Sequence, residues 1–232
     1  MDDESSRRQQ ILEVAAEILE RDGIQAVSTR TVAAAAGIRA ASLYQLFGDK
    51  DGLLDALAIQ AFERYLAGKD SLERSADPLD DLRRGWDMHV EFGLRHPALY
   101  VLMFGTDRPG RQPPAAAEAH DRLLSFLVRV ADAGRLTTPP AVAAQLVQAA
   151  ATGITLSLIA SPAGQRDPQV ATKMRELMVA SLTTDSPPPS DPGLATRALA
   201  LDAALSGADD KALPLRASEV ALLRDWLNDL AD

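Results

Sequence analysis

The stretch "VSTRTVAAAAGIRAASLYQLFGDKDGLL" (residues 27–54) sets two short helical patterns around a glycine. Ser28 precedes the first pattern, where a hydroxyl side chain suits the cap. Gly37 follows it, the residue that turns a chain at least steric cost. Asp49 then stands before a third pattern that opens at Lys50. The spacing predicts helices over about 29–36 and 39–46, and another from about 50 to 67 with Leu54, Leu57, Ala61 and Tyr65 turned inward. Two helices that cross at close range need a small residue at the crossing, a turn residue and an apolar lock. Ala33, Gly37 and Leu43 occupy those places, and Val32, Ala36, Ile38 and Leu46 supply further core.

That packing leaves Arg39, Ala40, Ala41, Ser42, Tyr44 and Gln45 on the outward face of the second helix. The face is small, hydrogen-bonding and almost uncharged. Such a helix fits the major groove of DNA. Small residues permit close approach, hydroxyls reach phosphates, Gln pairs with adenine, Arg with guanine, and Ala meets a thymine methyl. Lys50 adds a cation at a helix start that already favours a phosphate.

Residues 6–54 as a whole resemble the DNA-binding domain of the TetR (tetracycline-repressor) family of bacterial regulators. The most specific part, "SLYQLFGDKDGLL", is similar to the family's Thr-Leu-Tyr-x-x-Phe-x-x-Lys-x-x-Leu-Leu signature, with Ser42 in the Thr place. The resemblance implies that 39–46 is the recognition helix. It implies phosphate contacts from Tyr44, Lys50 and Ser28, and base-facing positions at Arg39, Ala40, Ala41 and Gln45. Leu46 stands where many members have His, so that contact is not carried over. The resemblance further implies a homodimer, a palindromic operator and a second, helical, ligand-sensing domain. "WDMHVEFGLRHPALYVLMF" (86–104) is similar to such regulatory domains. "TGITL" (152–156) is similar to a stretch of one subgroup that carries a His-Gly pair, with Thr152 in the His place.

The net charge of −9 does not exclude DNA, because the distribution matters more than the sum. Within 27–50, Arg30, Arg39 and Lys50 face only Asp49, a local balance of +2. Cysteine is absent, which excludes disulfides and thiolate metal sites. His89 and His96 lie seven apart without a third ligand at suitable spacing, so no metal and no cofactor are expected. No uninterrupted apolar run approaches the roughly 18 residues of a membrane span, and the polar N-terminus is not a signal peptide. A soluble, cytoplasmic protein is expected.

Apolar residues recur at helical spacing almost throughout, so the fold class is all-α. It comprises an N-terminal three-helix helix-turn-helix domain over 1–50 and a larger helical sensing and dimerisation domain over 51–184. A linker over 185–190 and a C-terminal helical extension over 191–232 follow. A first helix over about 6–22 carries the stripe Ile11, Ala15, Ile18 and Leu19, a capping box from Ser6 to Gln9, and a stop at Gly23. Asp77-Pro78, Thr138-Pro139, Asp167-Pro168 and Asp191-Pro192 each read as a helix start, as does Pro97. Residues 105–114 read as a loop before a helix over about 115–133. In the extension, Leu194, Ala198, Leu201 and Leu205 line one expected helix that ends at Gly207. Val220, Leu223, Leu227 and Leu230, beside Trp226 and behind a Ser218 cap, line another. Both are expected to pack back on the regulatory domain and bury Trp226.

The helix opening at Pro78 carries the stripe Leu79, Leu82, Trp86, His89 and Gly93. A histidine on an apolar stripe is most simply a hydrogen-bonded core residue. In a chain with only 4% aromatic residues, their clustering over 86–104 is also the best pointer to an effector cavity. The residues assigned to it are Trp86, His89, Phe92, Tyr100, Met103, Phe104, Phe126 and Thr152, for a small, largely apolar effector. Faces with Val142, Leu146, Ala150 and Gly153, and with Val170, Met174, Leu177 and Ser181, are expected to pair two chains. Two other classes remain. One is an enzyme, for which no Ser–His–acid set, phosphate-binding glycine loop or paired carboxylates stand out. The other is a helical protein-interaction module without specific DNA binding.

Overall fold

The computed structural model describes residues 2–70, 75–105, 114–184, 194–207 and 214–231. Among them there are helices and turns but no strand. The helices are α1 (Asp2–Asp22), α2 (Thr29–Ala35), α3 (Ala40–Phe47), α4 (Lys50–Asp70), α5 (Pro78–Arg95), α6 (Pro97–Tyr100), α7 (Pro114–Asp132), α8 (Pro140–Ala160), α9 (Gln169–Leu182), α10 (Leu194–Gly207) and α11 (Ala217–Asp229). α6 continues as a wider helical turn over Val101–Gly105.

Most expected starts and stops stand where capping chemistry puts them. The Ser28 hydroxyl accepts the Thr31 N–H at 3.0 Å. The Asp49 carboxylate accepts that of Gly52 at 2.8 Å, and Asp77 that of Leu79 at 2.9 Å. Gly23 and Gly37 take positive φ at +80° and +66°. Gly52 is required for another reason. A Cβ there would lie 2.0 Å from the Phe47 carbonyl oxygen, so any side chain forces α3 and α4 apart.

Three local expectations are corrected. α1 opens at Asp2, not Ser6, so Ser6 lies inside the helix and caps nothing. The acidic run at 2–4 favours the earlier start, and the Gln9 amide instead donates to Glu13 at 3.2 Å. α11 is capped at Arg216, whose backbone N–H donates to Glu219 at 2.8 Å, rather than at Ser218. In the extension, α10 buries Ala198, Leu199, Asp202 and Ala203 while Leu194 and Leu201 stand exposed, and Trp226 of α11 is 56% exposed. Part of each expected stripe is used: Ala198 and Leu227 are buried and Leu205, Val220 and Leu223 half-buried, whereas Leu194, Leu201 and Leu230 stand exposed. The expected loop at 105–114 and the linker with its Asp191-Pro192 start lie almost wholly outside the described residues.

The chain forms two compact units. The first holds 1–71, 88–119 and 155–166, and the second 72–87, 120–154 and 167–232. In the first, Ile11, Leu12, Ala15, Ile18 and Leu19 of α1 pack with Val32, Leu43, Leu53 and Leu57 in one core that also takes in Leu99 and Leu102. In the second, Asp81 is 2% exposed and accepts the Ser75 N–H at 2.9 Å and Arg129 at 2.6 Å, with Arg84 as a further partner. The chain entering α8 is joined to the chain leaving α9 by Thr137 N–H to Leu182 O and Thr184 N–H to Arg135 O, each 2.9 Å. α8 is 21 residues long and holds an 18-residue window of mean hydropathy 1.6, enough by length and composition to cross a membrane, although no uninterrupted apolar run of that length is present. Gln145, Gln148, Thr152 and Thr155 interrupt it, and Ala143, Ala144, Val147, Ala151 and Leu158 are buried within the fold.

Candidate nucleic-acid interface and effector site

α3 is held by its apolar side. Leu43 is fully buried and Phe47 is 8% exposed, and Ala33 at the crossing is 2% exposed. Ile38 N–H reaches Ala33 O at 3.0 Å and closes the turn. The Arg8 guanidinium lies 5.0 Å from the centre of the Phe47 ring, which fastens α1 to the end of α3. Arg39, Ala40, Ala41, Tyr44 and Gln45 are exposed, as expected, and Ser42 is half-buried. Lys50 is half-buried at the first position of α4. Ser28 and Tyr44 are less free than their sequence reading implied. The Ser28 oxygen already caps α2 and lies 2.7 Å from the Thr31 hydroxyl. The Tyr44 phenol accepts the Thr29 hydroxyl at 3.3 Å. Thr29 and Thr31 were not singled out from sequence. Their signal was present in the Ser-Thr-x-Thr run that opens α2.

Tyr65, Tyr100 and Phe104 of the first unit gather around His89, which is 6% exposed. Its Nδ1 lies 2.8 Å from the Tyr65 phenol of α4 and its Nε2 2.5 Å from the Tyr100 phenol of α6. A neutral imidazole has one N–H and one lone pair, so one tyrosine donates to it and the other accepts. Burial, with the Lys69 charge second, pushes His89 down to about 3. Burial likewise raises the Tyr65 phenol far above its ordinary value, with Tyr100 second. His89 and Tyr65 are therefore neutral at physiological pH. Phe104 stacks edge-on to His89 at 5.4 Å and lies tilted 4.7 Å from Tyr100, and Phe92 meets Tyr65 at 5.2 Å. Gly93 makes room for Tyr100, since a Cβ there would lie 2.3 Å from Thr155 Cγ2 and 2.9 Å from the Tyr100 ring.

Of the eight residues expected at an effector cavity, His89, Phe92, Tyr100, Met103 and Phe104 belong to the first unit and Trp86, Phe126 and Thr152 to the second. His89 and Tyr100 satisfy each other. Phe92 and Tyr65 border a groove of about 150 Å³ whose rim carries Arg64, Glu91, Arg95 and His96. In the second unit, Trp86 Nε1 and Thr152 Oγ1 are buried and have no hydrogen-bond partner. Buried polar atoms are nearly always paired, so an orphan requires an explanation. Tyr65 was read from sequence only as core, because nothing local pairs it with a histidine 24 residues away.

Two protein-family models match the chain. One, described as "Bacterial regulatory proteins, tetR family", covers residues 11–57. The other, described as "Tetracyclin repressor-like, C-terminal domain", covers residues 82–208 and so takes in α10. The chain is 35% identical over 100 residues to the HTH-type transcriptional repressor KstR2 of Mycobacterium tuberculosis, covering 42% of this chain and 50% of that protein. It is 32% identical over 77 residues to the HTH-type nicotine-responsive transcriptional repressor HdnoR of Paenarthrobacter nicotinovorans, covering 33% and 38%. It thus spans half or less of the length of these curated relatives. The structure of the fatty acid degradation regulator FadR from Bacillus halodurans matches with a TM-score of 0.64 over 75% of this chain and 94% of that one, at 15% identity, a likeness of fold.

Proposed function

The chain belongs to the TetR family of bacterial regulatory proteins, and on that premise we propose that it is a ligand-responsive transcriptional repressor, acting in the cytoplasm as a homodimer on a palindromic DNA operator. The observation that carries the reading is α3, locked by Leu43 and Phe47 and presenting an exposed face of small and hydrogen-bonding residues. Tyr44 and Lys50 bind phosphates, with Ser28 beside them. Arg39, Ala40, Ala41, Ser42 and Gln45 meet the major groove. The +2 balance of residues 27–50 supports this within an acidic chain. The named relatives are repressors, and no reaction is assigned to this protein.

The effector is small and largely apolar. The orphaned Trp86 N–H and Thr152 hydroxyl support a ligand that carries hydrogen-bonding groups. Exposed Val142, Leu146, Val170 and Leu177 on α8 and α9 support pairing of two copies through those helices. Selection of bound sequences from a random DNA pool, followed by gel shift, tests the regulator reading. Enrichment of a palindrome bound by a dimer is expected. A helical interaction module would enrich no sequence.

A further inference from the structure

α10 and α11 pack against each other through one face each. Asp202 of α10, 3% exposed, accepts Arg224 Nε of α11 at 2.7 Å, and Leu227 is the large side chain α11 buries. The neighbouring side of α11 is also apolar. Leu222, Trp226 and Leu230 recur every four residues and form one stripe, exposed by 48%, 56% and 47%. Leu215, just ahead of the helix, is exposed by 39%, and Leu194 and Leu201 of α10 by 64% and 46%. These six are half of the twelve large apolar side chains that stand exposed among the described residues. Four of the other six, Val142, Leu146, Val170 and Leu177, lie on α8 and α9 in the same compact unit.

We propose that α10 and α11 are part of the subunit interface, with the Leu222, Trp226 and Leu230 stripe seated on a second copy of this chain. The inference rests on the dimer reading above and extends it beyond α8 and α9. The area argues for it. The four α8 and α9 side chains leave on the order of 300 Å² of apolar surface, whereas a stable dimer buries roughly 800 Å² per partner, about two thirds of it apolar. The six side chains over 194–230 add on the order of 500 Å², which closes that gap. α11 does not turn this stripe onto its own chain, because the Asp202–Arg224 pair and Leu227 fix the face it uses within the chain. An anionic membrane is disfavoured by Glu219, Asp225 and Asp229 on the same helix.

The test uses the full chain. The difference in emission between wild type and Trp226→Phe isolates Trp226 from the buried Trp86. On dilution through dimer dissociation, that signal is expected to move from a blue-shifted, acrylamide-protected indole to a solvated one. The double variant Leu222→Ser, Trp226→Ser, both at exposed positions, is expected to keep its helical circular dichroism and to raise the dimer dissociation constant about tenfold or more in sedimentation velocity. A dimer in which Trp226 stays solvated, and which the double variant leaves unchanged, overturns this inference and leaves the α8 and α9 dimer standing. A wild-type chain that is monomeric at micromolar concentration overturns both.

Discussion

The Glu20 carboxylate, in the last turn of α1, accepts the Leu99 N–H at the start of α6 at 3.2 Å, and its second oxygen accepts that of Ala98 at the same distance. A side chain of α1 thus caps the helix that carries Tyr100. His96 Nδ1 lies 4.0 Å from the same carboxylate. The His89–Tyr100 pair is therefore connected to α1 by a short path, covalent through the first turn of α6 and hydrogen-bonded from there to Glu20.

Loss of this cap has a measurable cost. Glu20→Ala leaves two part-buried amides without their acceptor and is expected to cost about 1 kcal/mol, a fall in Tm of about 2–4 °C for a chain of this length. Glu20→Gln retains one acceptor oxygen and is expected to lose less. Equal melting of all three proteins would show that the contact contributes nothing.

The tyrosine pair should act as a unit. Tyr100→Phe or Tyr65→Phe leaves one ring nitrogen of His89 buried without a partner, at an expected cost of about 1–3 kcal/mol each. Both flank one imidazole, so the double variant should deviate from additivity in a double-mutant cycle by urea unfolding. Strict additivity would mean that the two contacts are independent.

Acid should destabilise the protein in two stages. His89, held at about 3 when folded, stays neutral while the unfolded chain takes up a proton near pH 6.5. The unfolded state then binds more protons, and stability falls by about 1.4 kcal/mol per pH unit as pH drops from about 6.5 towards 3. Burial alone would raise the Asp81 carboxyl, but the Ser75 backbone and hydroxyl with Arg129 and Arg84 outweigh it and hold it well below the usual carboxylate range. Its contribution is present above the unfolded value of about 3.9 and is lost below that as pH falls towards the folded value. Urea unfolding at pH 7 and pH 5 checks the first stage. Wild type should lose stability between the two, and His89→Gln distinctly less.

On DNA, Lys50→Ala should weaken binding to all sequences and reduce the salt slope by about one. Tyr44→Phe should do the former while also freeing Thr29 from its phenol partner. Gln45→Ala should alter preference at particular bases and leave the slope unchanged. Fluorescence anisotropy at several salt concentrations separates these effects, and a lysine variant with full affinity and an unaltered slope would remove Lys50 from the interface.

Leu177 is 66% exposed on α9. Leu177→Arg should keep its helical signal, give monomers by light scattering and lose operator binding. Retention of a wild-type dimer would move the interface away from that face.

Helix boundaries and the helix-turn-helix were legible in the sequence, because caps, proline positions and glycine turns act over three or four residues. Ser28, Asp49 and Asp77 cap as their spacing implied, and Leu54, Leu57, Ala61 and Tyr65 turn inward as expected. The stripe Leu79, Leu82, Trp86, His89 was legible for the same reason, since one turn of helix brings its members onto one side. What His89 touches was not. Tyr65 lies 24 residues before it and Tyr100 11 after, and Glu20 is 79 residues from Leu99. Such pairs exist only after α4, α5, α6 and α1 have packed. The extension shows the same limit. Periodicity marked α10 and α11 as amphipathic, yet α11 has apolar residues on two sides, and tertiary packing through Leu227 and the Asp202–Arg224 pair decided which side is buried and which left Trp226 exposed.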